Sequence, residues 1–249
     1  MRAPVKGFIV NGMKQIARTS RRKPGRPLSF DRDAALQQAM LLFWRHGYEA
    51  TSLRELTDAM GVTPPSIYAA FGDKKALFRA AVHRYLGTPV TSDALIAQAA
   101  TARDAAWALM HAAAVGFTGR DTPPGCLLAS AAISCSSDAA DVQRELAAIR
   151  RRTERKLRDR IVGATNAGEI PIDATVQGAA RADALAAHVM AVIQGMSTLA
   201  RDGASRAKLL RVATSAMHAW PDPPPPRVAA ASRRTRAPRS IRRSKREVE

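Results

Sequence analysis

The stretch TSLRELTDAMGVTPPSIYAAFGDKKAL, residues 51–77, reads as two short helices joined by a tight turn, with a third helix opening behind them. Ser52 and Glu55 have the S-x-x-E spacing of a capping box, which starts a helix at Leu53; Thr51 offers a cap one residue earlier. Leu53, Leu56 and Met60 then share one helical face, and Gly61 can end the helix in a left-handed conformation. Val62 fills the corner. Thr63 is the expected N-cap of the next helix, with Pro64 in the first helical position, where the missing N–H costs nothing. Ile67 and Phe71 fall on the core side, leaving Ser66, Tyr68 and Ala69 to point elsewhere. In a helix-turn-helix pair, the second helix enters the major groove of DNA led by its N-terminal residues.

Upstream, ALQQAMLLFWRHGY (35–48) has the pattern of an amphipathic helix ending in a Gly-aromatic pair. Together with T-S-x-x-x-L from Thr51, AMGV from Ala59 and I-Y-x-x-F-x-x-K from Ile67, it resembles the N-terminal domain of the TetR (tetracycline-repressor-like, TetR/AcrR) family of bacterial transcriptional regulators. The resemblance covers roughly forty-five residues and is specific, whereas one such motif alone is weak. Thr57 stands where the family usually has Ala, and Ala70 where it often has His or Tyr, which removes a possible phosphate contact. The resemblance implies an all-α chain: a three-helix DNA-binding head over 30–75 and a larger helical body over 76–220 for ligand binding and dimerisation. It also gives Lys74 a phosphate-contacting role, against the plain reading of a solvated lysine.

Composition is compatible with this. The chain has 249 residues, 46% of them hydrophobic, and a formal charge of +18. Such a charge points to a polyanionic partner. It is concentrated at the ends: residues 1–30 hold eight Lys or Arg and no acid, and residues 221–249 hold nine bases against three acids. The middle carries only +4. Residues 1–29 and the Pro/Arg-rich 221–249 are expected to be disordered basic arms. Within the first, Arg26 lies in RRKPGRP, similar to the Gly-Arg-Pro core of AT-hook segments. Two readings stand: Arg26 enters an A·T-rich minor groove, or the arm adds only salt-sensitive attraction. Met13 opens MKQIARTS, which resembles a natural start as well as Met1 does.

The second helix of the motif is chemically sparse. From Thr63 to Phe71 there is no Arg, Lys, Asn or Gln, the side chains that make bidentate contacts to purines. Thr63, Ser66 and Tyr68 can hydrogen-bond, and Pro65 and Ala69 can touch a thymine methyl. The expected DNA-contacting set is therefore Arg26, Thr51, Arg54, Thr63, Pro65, Ser66, Tyr68 and Lys74.

Beyond Lys74 the chain keeps helical periods. Leu77, Ala81, Val82 and Tyr85 form a stripe stopping near Gly87 and Pro89, and residues 92–118 form another with a break near Thr101. Residues 126–134 are expected to be helical. The preceding PPGCLLASAA (123–132) resembles the P-x-G-C-L-L stretch of family ligand domains. A long helix from about Asp138 to Asn166 carries the stripe Val142, Leu146, Ile149, Thr153, Leu157, Ile161 and Ala164, with a basic, solvated back (Arg150, Arg151, Arg152, Arg155, Lys156, Arg158). Gly168 caps it, and Pro171 and Asp173 precede a helix over 174–201 that is apolar nearly all round. The last helix runs from about Ser205 to Trp220. Surplus apolar surface on these two helices, at Leu185, Val189, Val192, Met196, Leu209, Ala213 and Ala216, suits the two-fold four-helix interface that the resemblance implies. The same resemblance implies an effector pocket, for which Trp107, Met110, His111, Phe117, Cys126, Leu127 and Ser130 are the candidates; their character favours a largely apolar ligand.

Cys126 and Cys135 lack a CxxC spacing and the histidines are scattered singly, so neither a metal nor another cofactor is expected. The sequence holds no G-x-S-x-G and no P-loop, and an enzyme is not expected. No segment reaches the roughly eighteen apolar residues of a membrane span, which places the chain in the cytoplasm by expectation. Three function classes remain: a ligand-responsive repressor acting as a homodimer on a palindromic duplex operator, a sequence-tolerant architectural DNA-binding protein, and a metabolite-binding carrier or enzyme. The order and specificity of the motif favour the first.

Overall fold

The structure, a computed structural model, describes residues 30–87, 91–170 and 176–221. Arg26, both arms apart from Pro221, Pro89, Pro171 and Asp173 lie outside the described residues. The described elements are helical: α1 (Arg32–His46), α2 (Leu53–Met60), α3 (Pro64–Phe71), α4 (Lys74–Leu86), α5 (Ser92–Gln98), α6 (Ala102–Gly116), α7 (Leu127–Ser130), α8 (Ala140–Asn166), α9 (Val176–Arg201) and α10 (Arg206–Ala216). Short 3-10 turns sit at Ser137–Ala139 and Met217–Ala219, and no strand occurs among the described residues. The all-α architecture, a helix-turn-helix head followed by a larger helical body, is the expected one.

Local signals set the helix ends in the head. The Ser52 hydroxyl accepts from the Glu55 N–H at 3.1 Å, while the Ser52 N–H donates to the Glu55 carboxylate at 2.7 Å, so the capping box is complete. Gly61 ends α2 at φ 64°, ψ 34°, the left-handed region where a Cβ is costly. Thr63 precedes α3 in extended backbone but does not cap it with its side chain; its hydroxyl lies 3.0 Å from the Ser66 Oγ instead. Asp73 caps α4, and Thr101 with Asp104 forms a second capping box at the expected break before α6.

Packing ignores the expected boundary at residue 75. The head core of Leu36, Phe43, Leu56, Ile67, Leu77 and Phe78 is completed by Leu127, Ala131, Val142 and Leu146, which come from α7, the turn after it and the start of α8. A three-helix head offers too little interior of its own, and each buried leucine added contributes about 1.5–3 kcal/mol. The body core lies between α6, the far half of α8, α9 and α10, around Met110, Phe117, Leu157, Ile161, Val189, Met196 and Leu209. The stripe expected on α8 is thus divided between two cores, with Val142 and Leu146 in the head and Leu157, Ile161 and Ala164 in the body.

Two expectations change here. The helix expected over 126–134 is α7 alone, four residues long, because the Ala131 carbonyl is taken at 2.7 Å by the Tyr48 N–H of the head. The basic back of α8 is only partly solvated. Arg150 donates to the Leu128 carbonyl, Lys156 and Arg152 hold Asp93 at the start of α5, and Arg160 donates to the Ala100 carbonyl at 3.0 Å.

Candidate nucleic-acid interface

The reading face follows from how α3 is seated. Ile67 and Phe71 are buried under α1 and α4, which turns Pro65, Tyr68 and Ala69 outward and leaves Ser66 half-buried. Tyr68 is 54% exposed, unusual for a tyrosine without a partner to cover it. Arg54 projects from the first turn of α2 with its side chain 91% exposed; its only ion pair is a 3.8 Å surface contact with Asp58, too weak to hold it back. Arg54, Thr63, Pro65, Ser66 and Tyr68 therefore occupy one accessible end of the motif, where a groove edge could be read.

Thr51 leaves this set. It is fully buried, and its hydroxyl donates to the Gly47 carbonyl at 2.6 Å, so it braces the turn between α1 and α2 and does not face solvent. Lys74 is neither free nor lost. Its Nζ rests 4.6 Å from the centroid of the Tyr48 ring and 3.4 Å from the Glu49 carbonyl, and partial burial pushes its ammonium pKa below the ordinary lysine value. Such an ammonium is held at the α4 N-terminus at little further entropic cost if it meets a phosphate. Arg32, overlooked in the sequence, lies over the Phe71 ring at 4.6 Å and adds a positive group beside the end of α3. Only the fold brings residues 32 and 71 together.

An ionic seam runs behind the head. Lys75 meets Asp141 at 2.9 Å, and Arg79 reaches both Asp141 at 3.0 Å and Glu145 at 2.6 Å. The Lys75 hydrogen bond holds the Asp141 carboxyl below the usual range. On the other side, the Glu49 carboxylate accepts from the Ser136 hydroxyl and N–H, which lowers its pKa as well.

The seven effector candidates do not come to one wall. Met110 and Phe117 are buried in the body core, with Trp107 and Cys126 packed against it, whereas Leu127 belongs to the head core. His111 is exposed beside Trp107, 5.9 Å between ring centroids. Ser130 is half-buried and lines an outer cleft. Cys126 receives the Tyr85 hydroxyl at 3.4 Å, and burial raises the pKa of both groups. Among the described residues, no group of three His, Cys, Asp or Glu side chains is placed to hold a metal ion, and no helix is long and apolar enough to cross a membrane.

The dimer candidates are corrected outright. Leu185, Val189, Met196, Leu209, Ala213 and Ala216 are all buried within this chain, and Val192 packs against the same core. They are the glue between α9, α10, α6 and α8, because a stripe of large apolar residues is satisfied first by the nearest helices of its own fold. What α9 presents outward is a row of small residues, Ala180, Ala184, Ala191, Gly195 and Thr198.

Residues 35–81 match the family of bacterial regulatory proteins, tetR family. The chain is 38% identical over 200 residues to the HTH-type transcriptional repressor ComR of Escherichia coli (strain K12), covering 80% of this chain and 92% of that one. The HTH-type transcriptional repressor BdcR of the same organism is 42% identical over 73 residues, 29% of this chain and 37% of that relative. Among solved structures, a cysteine mutant of the TetR family transcriptional regulator CifR complexed with 26bp double-strand operator DNA is 38% identical, with a TM-score of 0.72, covering 79% of this chain and all of that one. The fold, the reading face on α3 and these relatives converge: the chain is a DNA-binding transcriptional regulator and belongs to the TetR family.

Proposed function

We propose that this protein is a cytoplasmic repressor that binds a palindromic operator as a homodimer and is released by a small, largely apolar effector. The observation that carries the DNA-reading part is the outward face of α3, where Pro65, Tyr68 and Ala69 are exposed while Ile67 and Phe71 are locked in the core. Two relatives named as repressors support the direction of control. For the dimer, the small-residue face of α9 together with the exposed side of α10 (Ala207, Arg211, Thr214) replaces the buried set, since short side chains let two helices approach closely. Two recognition helices on such a dimer would meet half-sites about 34–36 Å apart. The effector would enter beside the half-buried Trp107 and Cys126 at the edge of the body core.

DNase footprinting over DNA flanking the gene, with light scattering of the complex, tests this reading. A protected palindrome bearing two chains is the expected result; protection without sequence preference refutes it. That second outcome is the architectural alternative, which has its own support in the lack of Arg, Lys, Asn or Gln from Thr63 to Phe71 and in the strongly basic ends of the chain. It would show nearly equal affinity for any duplex and a steep salt dependence.

A further inference from the structure

Three segments meet behind the head, where the end of α1, the loop into α7 and the last turn of α9 are tied by hydrogen bonds. Arg201 donates through Nη1 to the Trp44 carbonyl and the Ser130 hydroxyl, both at 3.2 Å, and through Nη2 to the Arg45 carbonyl at 2.9 Å. Those two carbonyls belong to the last turn of α1, which has no N–H of its own to satisfy them. The joint is tight: a Cβ on Gly125, which sits at φ 82°, would lie 2.8 Å from the Ser197 carbonyl and 2.9 Å from the Arg201 Cγ. The Cys126 N–H donates to the Ser197 hydroxyl at 2.8 Å. On the outer side of this joint lies a cleft of about 530 Å³, whose lining includes Ser130, Ile133, Gln194, Thr198, Arg201 and Asp202.

We propose that this cleft binds a small carboxylate carrying a neighbouring hydrogen-bond donor, and that its binding draws Arg201 off the end of α1. A volume of this size suits a small metabolite. The guanidinium fork pairs with a carboxylate in bidentate fashion, and a charge-assisted bond is roughly twice as strong as one to a neutral carbonyl, so the ligand outcompetes Trp44 and Arg45 for the same donors. The hydroxyls of Ser130 and Thr198 and the Gln194 amide supply further donors. Ile133, 64% exposed, offers an apolar wall for an aliphatic or aromatic body. Asp202 accepts from the ligand's donor group and disfavours a dianion. Because α1 packs on both α2 and α4, freeing its C-terminus loosens the seat of the reading helices. The regulatory half of this proposal rests on the effector-responsive reading above and specifies a polar contact where that reading expected an apolar ligand.

The test titrates the full chain with L-leucine, 4-methylpentanoate and benzoate by saturation-transfer NMR. In parallel, the affinity for the footprinted DNA is measured by fluorescence anisotropy. At least one probe should bind saturably below about 10 mM. Thr198→Trp, which fills the cleft from an exposed position, should abolish that binding without lowering Tm, and Arg201→Lys should weaken it by about tenfold through loss of the fork. Equal binding of L-leucine and 4-methylpentanoate would overturn the neighbouring-donor requirement. Saturable binding that both variants remove, with DNA affinity unmoved by the probe, sustains the site and overturns its coupling to the head. Absence of saturable binding for all three probes, or binding that survives both variants, overturns the site itself. A change of oligomeric state in Thr198→Trp with probe binding intact shows instead that a second copy occupies the cleft, and also overturns it.

Discussion

The indole Nε1–H of Trp44 donates to the Gly125 carbonyl at 3.1 Å, a buried bond between residues 81 positions apart. It joins the last turn of α1 to the loop before α7, close to where the Tyr48 N–H takes the Ala131 carbonyl. The head is therefore attached to the body by main-chain acceptors as well as by side-chain packing. Trp44→Phe keeps most of the ring contact with Tyr85, 4.9 Å between centroids, but leaves the Gly125 oxygen unsatisfied. It should cost about 1–3 kcal/mol in urea unfolding.

Neighbouring residues of α3 should separate stability from DNA binding. Ile67→Ala opens a cavity at a fully buried site and should cost about 2–5 kcal/mol. Tyr68→Ala removes an exposed ring and should leave Tm within about a degree or two of the parent while weakening operator binding. Loss of stability in Tyr68→Ala, or unchanged DNA affinity, would show that the outward face of α3 has been misassigned.

The capping box at α2 supports that face from below. Ser52→Ala removes both the acceptor for the Glu55 N–H and the hydroxyl bonded to its carboxylate. A loss of about 1 kcal/mol is expected in thermal or urea unfolding, and the conservative Ser52→Thr should retain most of it.

The ionic seam makes stability depend on acid. The Asp141 carboxyl has its pKa lowered in the folded chain, chiefly by the Lys75 hydrogen bond. Its stabilising effect is therefore fully present above the unfolded value, near 4, and disappears as pH falls through the lower folded value. In Tm measurements from neutral to acid pH, Asp141→Asn should lie below the parent at neutral pH and converge with it under strongly acid conditions. Parallel curves would show that Asp141 does not link its titration to folding.

The two cysteines should differ in reactivity. Burial raises the pKa of Cys126, and its sulfur lies under the Tyr85 hydroxyl, whereas Cys135 sits in the more open turn after α7. Alkylation by iodoacetamide at neutral pH, followed by mass spectrometry, should modify Cys135 well before Cys126.

What could be read from residues alone was local. Ser52 with Glu55, Gly61 and Pro64 act within one helical turn of themselves, so their roles need no knowledge of the rest of the chain. The inward placing of Ile67 and Phe71 follows from helical period in the same way. Only the tertiary structure decided which surface each apolar stripe met. Helical periodicity names a buried face but not its partner, so Leu185 and Leu209 could be assigned to a second subunit until the body was seen to bury them. Thr51 became a brace, Leu127 became part of the head core, and Arg150 and Lys75 became ties between helices far apart in sequence, because long-range packing sets how deep a side chain lies and which carbonyl it meets.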